Sequence, residues 1–339
     1  MNEQLWKILS PTANDTFAKM KGKELQEILY FLKDFYLKPK EILNINKKNT
    51  FGLEIEFEQA NYEKIKSLLK QMQPTSKQPT SKRSWILDKD LTLTNGGEII
   101  SPPLTDTTKT WESLTKICTM LENNATIDKY SGGHIHFGAQ IIGNTEQNWL
   151  NFIKLWYTYE NIIFRFTNGE YTQTRPRIDD IATPLSKELQ SDYQHYPKGK
   201  ISFPHTRFIH GKYKAINFGH ITNPEYYQKR NTIEFRSPNG TLNPVIWQNN
   251  VLFFNNLLEY AKQENFNTDT IEQRFQHNQE NQIYTLEYYN EIYLQQALEL
   301  ADMIYQNNQD KIYFLRQYFK DFNTSPQKYQ KTKNFTKKS

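Results

Sequence analysis

Three short stretches of the chain place polar residues at every second position, with apolar residues between them. They are Phe51–Phe57, Gly132–Gly138 and Thr232–Ser237. In a strand, residues i and i+2 lie on the same face, so the pattern predicts three strands that each have one apolar and one polar face. The polar residues that share a face are Glu54 with Glu56, His134 with His136, and Glu234 with Arg236.

Helical patterns surround these strands. Residues 1–48 are predicted to form an N-terminal helical segment, with its best amphipathic stretch over residues 23–32. Two more short strands are predicted around residues 85–87 and 98–100. Helices and strands alternate without a strict βαβ rhythm, which favours an α+β fold over a doubly wound sheet. The other predicted helices cover residues 61–72, 111–124, 146–166, 245–264, 285–306 and 309–321.

The chain is predicted to hold one catalytic domain over residues 49–325. Within this domain the repeated sequence Gln-Pro-Thr-Ser-Lys indicates a flexible surface loop over residues 73–83. Residues 167–212 contain several prolines and predict an irregular insert without long helices. Residues 326–339 predict a disordered basic tail.

Composition and charge narrow the class of protein. The net charge is +5, but five lysines of the tail account for it, so the rest of the chain is neutral and no nucleic-acid partner is expected. The mean hydropathy is −0.80 and no apolar run approaches about 18 residues, so no membrane span is expected. The single cysteine, Cys118, excludes an internal disulfide. The N-terminus lacks a signal-peptide pattern, and a cytoplasmic protein is expected.

Glu98, in the sequence Gly-Gly-Glu-Ile-Ile, adds a fourth acid to the polar faces. Together with Glu54, Glu56 and Glu234 it would form a cluster of unpaired charges, and burial of each such charge costs several kcal/mol. Divalent cations would neutralise this cluster, and Mg²⁺ prefers oxygen ligands. Arg236 and the histidines would then be available to bind phosphate.

With these residues in place, the chain resembles the amidoligases, relatives of glutamine synthetase and gamma-glutamylcysteine ligase in the carboxylate–amine ligase superfamily. The motifs that carry the resemblance follow the family's order over residues 49–260. They are Phe51–Glu56, Asp88 through Leu104 around Glu98, Gly132–His136, Lys212–Asn217, and Thr232 through Leu242. The insert at 167–212 matches no motif and is therefore predicted to face the substrate.

The resemblance implies a curved, mainly antiparallel sheet with flanking helices, the half-funnel of the glutamine synthetase and glutamate–cysteine ligase folds. It also implies ATP as co-substrate and two or three Mg²⁺ ions on the polar face. By similarity, Arg236 contacts the transferred phosphate, while His136 and Lys212 match phosphate or nucleotide contacts. We expect catalysis to depend on Arg236, Glu54 and Glu234. The residues that match metal-ligand positions are Glu54, Glu56, Glu98, His134 and Glu234.

The reaction that the resemblance implies is ATP-dependent amide formation through an acyl phosphate. Its substrates would be a carboxylate and an amine, each from an amino acid, a peptide or a protein side chain. Two other functions stay open at this point. The His-x-His strand would also suit a metal-dependent hydrolase, and a non-catalytic descendant would bind nucleotide or peptide without turnover.

Overall fold

The computed structural model describes residues 8–10, 12–73, 84–90, 93–171, 174–186, 211–222, 231–280 and 291–320. Three predicted segments lie wholly or largely outside these residues. They are the loop over 73–83 beyond its first residue, more than half of the 167–212 insert, and the whole 326–339 tail.

Within the described residues, six strands form one antiparallel sheet: β1 Phe51–Phe57, β2 Ile86–Asp88, β3 Gly97–Ile100, β4 Gly133–Gly138, β5 Ile216–Asn217 and β6 Thr232–Phe235. Their order across the sheet is β2-β3-β1-β4-β6-β5. Strand β1 lies between β3 and β4, and β4 lies between β1 and β6, so the three alternating stretches are neighbours. This arrangement confirms an α+β fold built on an open antiparallel sheet, while its likeness to the half-funnel stays a prediction.

One face of this sheet is apolar, as the alternation predicts. The side chains on that face are almost completely removed from solvent. Because the side chains of a strand alternate between its two faces, the polar residues of the same strands must lie on the opposite face. The buried apolar residues on this face include Leu53, Ile55, Phe57, Ile135, Phe137, Ile233 and Phe235.

Helices account for most of the remaining described residues. Asparagine side chains begin several of them by accepting a backbone N–H, as Asn61 does from Lys64 and Asn243 does from Val245. The bounds confirm the long helices predicted from periodicity. The helices are α1 Gly22–Asp34, α2 Tyr62–Met72, α3 Thr108–Glu122, α4 Glu146–Thr167, α5 Ile178–Ile181, α6 Gly219–Thr222, α7 Pro244–Ala261, α8 Thr268–Glu280, α9 Glu291–Ile304 and α10 Asn308–Phe319.

Aromatic contacts join the helices to the apolar face of the sheet. Trp111 of α3 stacks on Phe51 of β1, with ring centroids 5.4 Å apart. Phe254 of α7 and Trp156 of α4 stack on Phe235 of β6 at 4.0 and 5.8 Å. The core therefore lies between the sheet and helices α3, α4 and α7, and it leaves the polar face of the sheet free of these helices.

The prediction of a helical segment over residues 1–48 is wrong in its second half. Residues 22–34 form α1, but residues 35–50 contain no helix. In the second half the carboxylate of Asp106 accepts the backbone N–H groups of Leu43 and Ile45, which replaces the hydrogen bonds of a helix. The segment packs on the C-terminal helices, since Asp302 accepts the backbone N–H of Phe17.

Four of these elements were not predicted: the short helices α5 and α6, helix α8 and strand β5. Helix α8 was missed because its sequence is highly polar and Ile271 is its only fully buried hydrophobic residue among those described. Strand β5 was missed because two residues are too few to show a period. Among the described helices, none is both long enough and apolar enough to cross a membrane.

Candidate active site

Cross-strand pairing brings the predicted acids and histidines together on the polar face. Each pair joins residues that are far apart in the sequence but directly opposite in the sheet. The polar face therefore contains one continuous group of carboxylates and imidazoles, as the sequence predicts. The pairs are Glu56 with Glu98, Glu54 with His134, and His136 with Glu234.

Glu54 lies at the centre of this group, between the two histidines. Its Oε2 lies 2.9 Å from Nδ1 of His134, and its Oε1 lies 2.9 Å from Nε2 of His136. Burial opposes ionisation of Glu54, but the charge and hydrogen bonds of the two imidazoles outweigh burial and hold its pKa well below the usual value. For His136 burial likewise opposes the charge, and Glu54 raises the pKa above its ordinary value.

Glu234 presents its two carboxylate oxygens to different partners. Oε1 forms an ion pair with Nη1 of Arg236 and lies 3.8 Å from Nδ1 of His134. Oε2 accepts a hydrogen bond of 2.7 Å from Nδ2 of Asn217 and lies 3.4 Å from Nε2 of His220. Burial disfavours the charged form of Glu234, but these neighbours prevail and lower its pKa far below normal. One carboxylate thus joins two parts of the site.

Glu56 and Glu98 form the acidic end of the group. Glu56 is buried and accepts the backbone N–H of Gly132. Burial, followed by the charges of Glu54 and Glu56, raises the pKa of Glu98 to about 8. Asp90 lies close enough to offer a third carboxylate oxygen beside these two acids. Without a cation, these like charges repel each other.

The glycines before Glu98 are explained by close packing of the backbone. A Cβ at Gly96 would lie 1.8 Å from the carbonyl oxygen of Phe57. The carboxylate of Glu58 holds the same loop, because its oxygens accept the backbone N–H groups of Thr94 at 2.7 Å and Asn95 at 2.9 Å. The absence of a side chain at Gly96 therefore permits a close approach of this loop to β1.

The residues fit divalent cations. Among the described residues, Glu54, His134 and Glu234 offer ligand atoms that all lie within 4.8 Å of one another, and so do Glu56, Asp90 and Glu98. Nε2 of His134 is buried and has no hydrogen-bond partner, although Oε1 of Glu56 lies 3.3 Å away. A buried polar atom of this kind is costly unless a further ligand satisfies it. Oxygen-rich sets with a single imidazole suit hard cations such as Mg²⁺.

Lys212 does not join this group in the described part of the chain. It lies in an exposed turn before β5, and its ammonium is 5.9 Å from the centroid of the Tyr213 ring. Its predicted role as a phosphate or nucleotide contact stays a prediction. All other predicted site residues lie on the polar face of the sheet, including Arg236, whose backbone N–H binds the carbonyl of Ala215.

Four residues of the site were missed or left without a role. Asn217 lies in a recognised motif, and its role is to hold the carboxylate of Glu234 by a hydrogen bond. His220 follows three residues later, and only the short helix α6 brings it to Glu234. Arg175 is buried and donates from Nη2 to the carbonyl of Arg236 at 2.7 Å. Asp90 could have been found from the sequence, since it lies within the motif that runs from Asp88 to Leu104 and contains Glu98.

Residues 47–258 match the family described as "putative amidoligase enzyme". The chain belongs to the amidoligase family. The match covers more than half of the chain and includes every strand of the sheet and all the acids, histidines and the arginine discussed above. A comparison with curated proteins gives no match.

Membership of the amidoligase family indicates an enzyme of the ligase type whose substrates form an amide bond. The polar face is the natural position for its active site, because it holds the motif residues and has no helix of the core packed over it.

Proposed function

We propose that this amidoligase forms an amide bond from a carboxylate and an amine at the expense of ATP, through an acyl-phosphate intermediate. The observation that carries the proposal is the position of Arg236, a cation held beside Glu234 in a group of acids and imidazoles. Such a face suits phosphoryl transfer, in which catalysis depends on positioning and on neutralising charge.

The two oxygen-rich groups of the polar face would hold two of the two or three Mg²⁺ ions. The residues of the first group would be Glu54, His134 and Glu234, and those of the second would be Glu56, Asp90 and Glu98. Bound Mg²⁺ would neutralise the negative charge of the phosphate oxygens of ATP. In the metal-free chain, the imidazoles and Arg236 compensate part of the negative charge of these acids.

Arg236 would bind the phosphoryl group during transfer. Its guanidinium is oriented by Glu234, and its backbone is held by the N–H bond to the carbonyl of Ala215. The buried guanidinium of Arg175 donates to the carbonyl of Arg236 and fixes the chain just after β6. A preoriented arginine of this kind loses little freedom when it binds phosphate. His136 and Lys212 are proposed as further contacts to phosphate or nucleotide.

The carboxylate would attack the terminal phosphorus of ATP, and ADP would leave. The amine would then attack the acyl carbon, lose a proton and release inorganic phosphate, so that the products are an amide, ADP, phosphate and a proton. The carboxylate and the amine would each come from an amino acid, a peptide or a protein side chain. Residues of the 167–212 insert are proposed to select them.

The test measures ADP formation with Mg²⁺ and pooled amino acids, amines and peptides. Glu54→Gln and Arg236→Ala are each expected to lower the rate by about 10²–10³-fold, because each removes a charge at the reacting centre. Glu63→Gln is the matched control, since Glu63 is exposed on α2 and forms a surface ion pair with Lys66. Unchanged ADP formation in both site variants would refute the proposal.

The same assay separates the other two functions. Cleavage of a substrate without ATP consumption would favour a metal-dependent hydrolase. Binding of ATP without turnover over the whole panel would favour a non-catalytic descendant. The contacts give less support to a hydrolase whose metal is shared by His134 and His136, because these two side chains bind different oxygens of Glu54 rather than facing one position.

A further inference from the structure

A third group of possible metal ligands lies on the other side of Glu234 from the group containing Glu54 and His134. It consists of His136, His220 and Glu234, whose ligand atoms all lie within 4.8 Å of one another. Neither the motifs nor the family match gives His220 a role. The group differs from the other two because imidazoles outnumber carboxylates in it.

One distance within this group already matches that between two ligands of a metal ion. Zinc–nitrogen and zinc–oxygen bonds of about 2.0–2.2 Å place two ligands of a tetrahedral ion roughly 3.4 Å apart. Nε2 of His220 lies 3.4 Å from Oε2 of Glu234. The rings of His136 and His220 have centroids 6.0 Å apart, so both imidazoles border the same space.

The surroundings hold these ligands in place. Asn217 donates from Nδ2 to Oε2 of Glu234, and its Oδ1 accepts the backbone N–H of Gly219. The same amide therefore orients the carboxylate and fixes the turn that carries His220. Partners of this kind, which bind the ligands rather than the metal, are typical of metal sites. The side chains of His136 and His220 remain 16% and 13% exposed, so an ion from solvent can reach them.

We propose that His136, His220 and Glu234 bind one divalent transition-metal ion of the zinc class, separate from the Mg²⁺ sites. Two imidazoles and one carboxylate select such ions, because nitrogen ligands bind them more strongly than they bind Mg²⁺. Oε2 of Glu234 serves this site and Oε1 faces His134, so one carboxylate borders two ions. Solvent would complete the coordination of the ion. In this arrangement His136 serves as a metal ligand in place of a direct contact to phosphate or nucleotide.

The first experiment titrates metal-stripped full-length protein with Co²⁺ in excess Mg²⁺, without nucleotide, and follows the visible absorption of bound Co²⁺. Wild type is expected to bind one Co²⁺ that Zn²⁺ displaces and Mg²⁺ does not. His220→Gln is expected to weaken binding about tenfold or more, since loss of a direct ligand costs at least as much as loss of a supporting partner. His277→Gln, at an exposed histidine of α8, should bind like wild type.

Three results would overturn the proposal. These are equal Co²⁺ affinity in His220→Gln and wild type, equal losses in the His220 and His277 variants, or displacement of Co²⁺ by Mg²⁺. A second measurement on wild type avoids any folding defect of a variant. Zn²⁺ should protect His220, but not His277, from acylation by diethyl pyrocarbonate, as located by peptide mass spectrometry. Neither experiment uses ATP, so failure here is distinct from failure of the ligase proposal.

Discussion

Three of the four predicted acids of the polar face obtain compensation, each from a different source. Glu54 has two imidazoles, Glu234 has Arg236, and Glu56 has a backbone N–H. Glu98 is different, because within the described residues it forms no ion pair and faces other carboxylates. Its raised pKa follows directly from this position, and it makes Glu98 the residue whose charge depends most on a bound cation.

Glu98 should therefore impose a pH dependence on the metal-free protein. Its pKa of about 8 when folded lies above the ordinary value of 4.5, so the folded state holds the proton more tightly than the unfolded state. This contribution to stability is complete below about pH 4.5 and is lost as the pH rises through about 8. Between about pH 5 and pH 8, the Tm of wild type should fall relative to that of Glu98→Gln, which stays neutral.

Thermal melts of the metal-free proteins by circular dichroism provide the measurement. The exposed variant Glu63→Gln serves as control and should follow wild type across the range. Excess Mg²⁺ should reduce the difference between wild type and Glu98→Gln in pH dependence, because bound cations favour the ionised carboxylate. Parallel curves for wild type and Glu98→Gln without metal would contradict the raised pKa.

At the scale of elements, the alternation in β1, β4 and β6 predicted both faces of the sheet correctly. A period of two residues is a direct consequence of strand geometry, so seven apolar and six polar positions could be assigned without knowledge of the neighbouring strands. The long amphipathic helices followed from the same kind of argument. The sequence did not predict elements that lack a local pattern, such as β5 with its two residues and the polar helix α8.

The partners across the sheet could not be predicted from the sequence. Nothing in the local pattern indicates that His136 lies opposite Glu234, since register depends on how distant strands align. His220 shows the same limit, because its place beside Glu234 depends on a turn held by Asn217. The sequence thus predicted which side chains share one face of the sheet, but it did not predict which of them are in contact.

Gly96 links an element boundary to the site. An added Cβ would meet the carbonyl of Phe57 at 1.8 Å, and backbone atoms cannot yield as a flexible side chain can. Gly96→Ala is therefore expected to lower the free energy of unfolding by about 1–3 kcal/mol and to displace Glu98. Urea denaturation measures this change.

Gly211→Ala is the matched control for this prediction. Its added Cβ would make only ordinary contacts of 3.5 Å with the side chain of Lys214, so its effect should stay within about 0.5 kcal/mol. Equal stabilities of the Gly96 and Gly211 variants would show that the loop before Glu98 can move away from β1 at little cost.

At the scale of the whole molecule, β6 connects the core to the site through consecutive residues. Glu234 and Arg236 lie on the polar face, and Phe235 between them packs in the core against Trp156 and Phe254. The position of both charged groups therefore depends on the packing of helices α4 and α7 on the opposite side of the sheet.

Phe235→Ala tests this dependence. Loss of a fully buried ring is expected to lower the free energy of unfolding by about 3–5 kcal/mol, through lost burial and the cavity that remains. Tyr30→Ala, at a tyrosine that is 70% exposed on α1, should change it by about 0.5 kcal/mol or less. Urea denaturation of both variants decides the matter, and a similar small loss in each would contradict the central place of Phe235.

The order of the strands in the sheet also has a consequence for biosynthesis. Glu54 and His134 are 80 residues apart, and His134 and Arg236 are another 102 residues apart. At translation rates of about 5–20 residues per second, the first carboxylates leave the ribosome on the order of ten seconds before their guanidinium partner. During that interval the nascent chain has acids without Arg236 and apolar strands without α7. The sheet can therefore be completed only late in synthesis. A chaperone that shields the early strands would have the most effect in that interval.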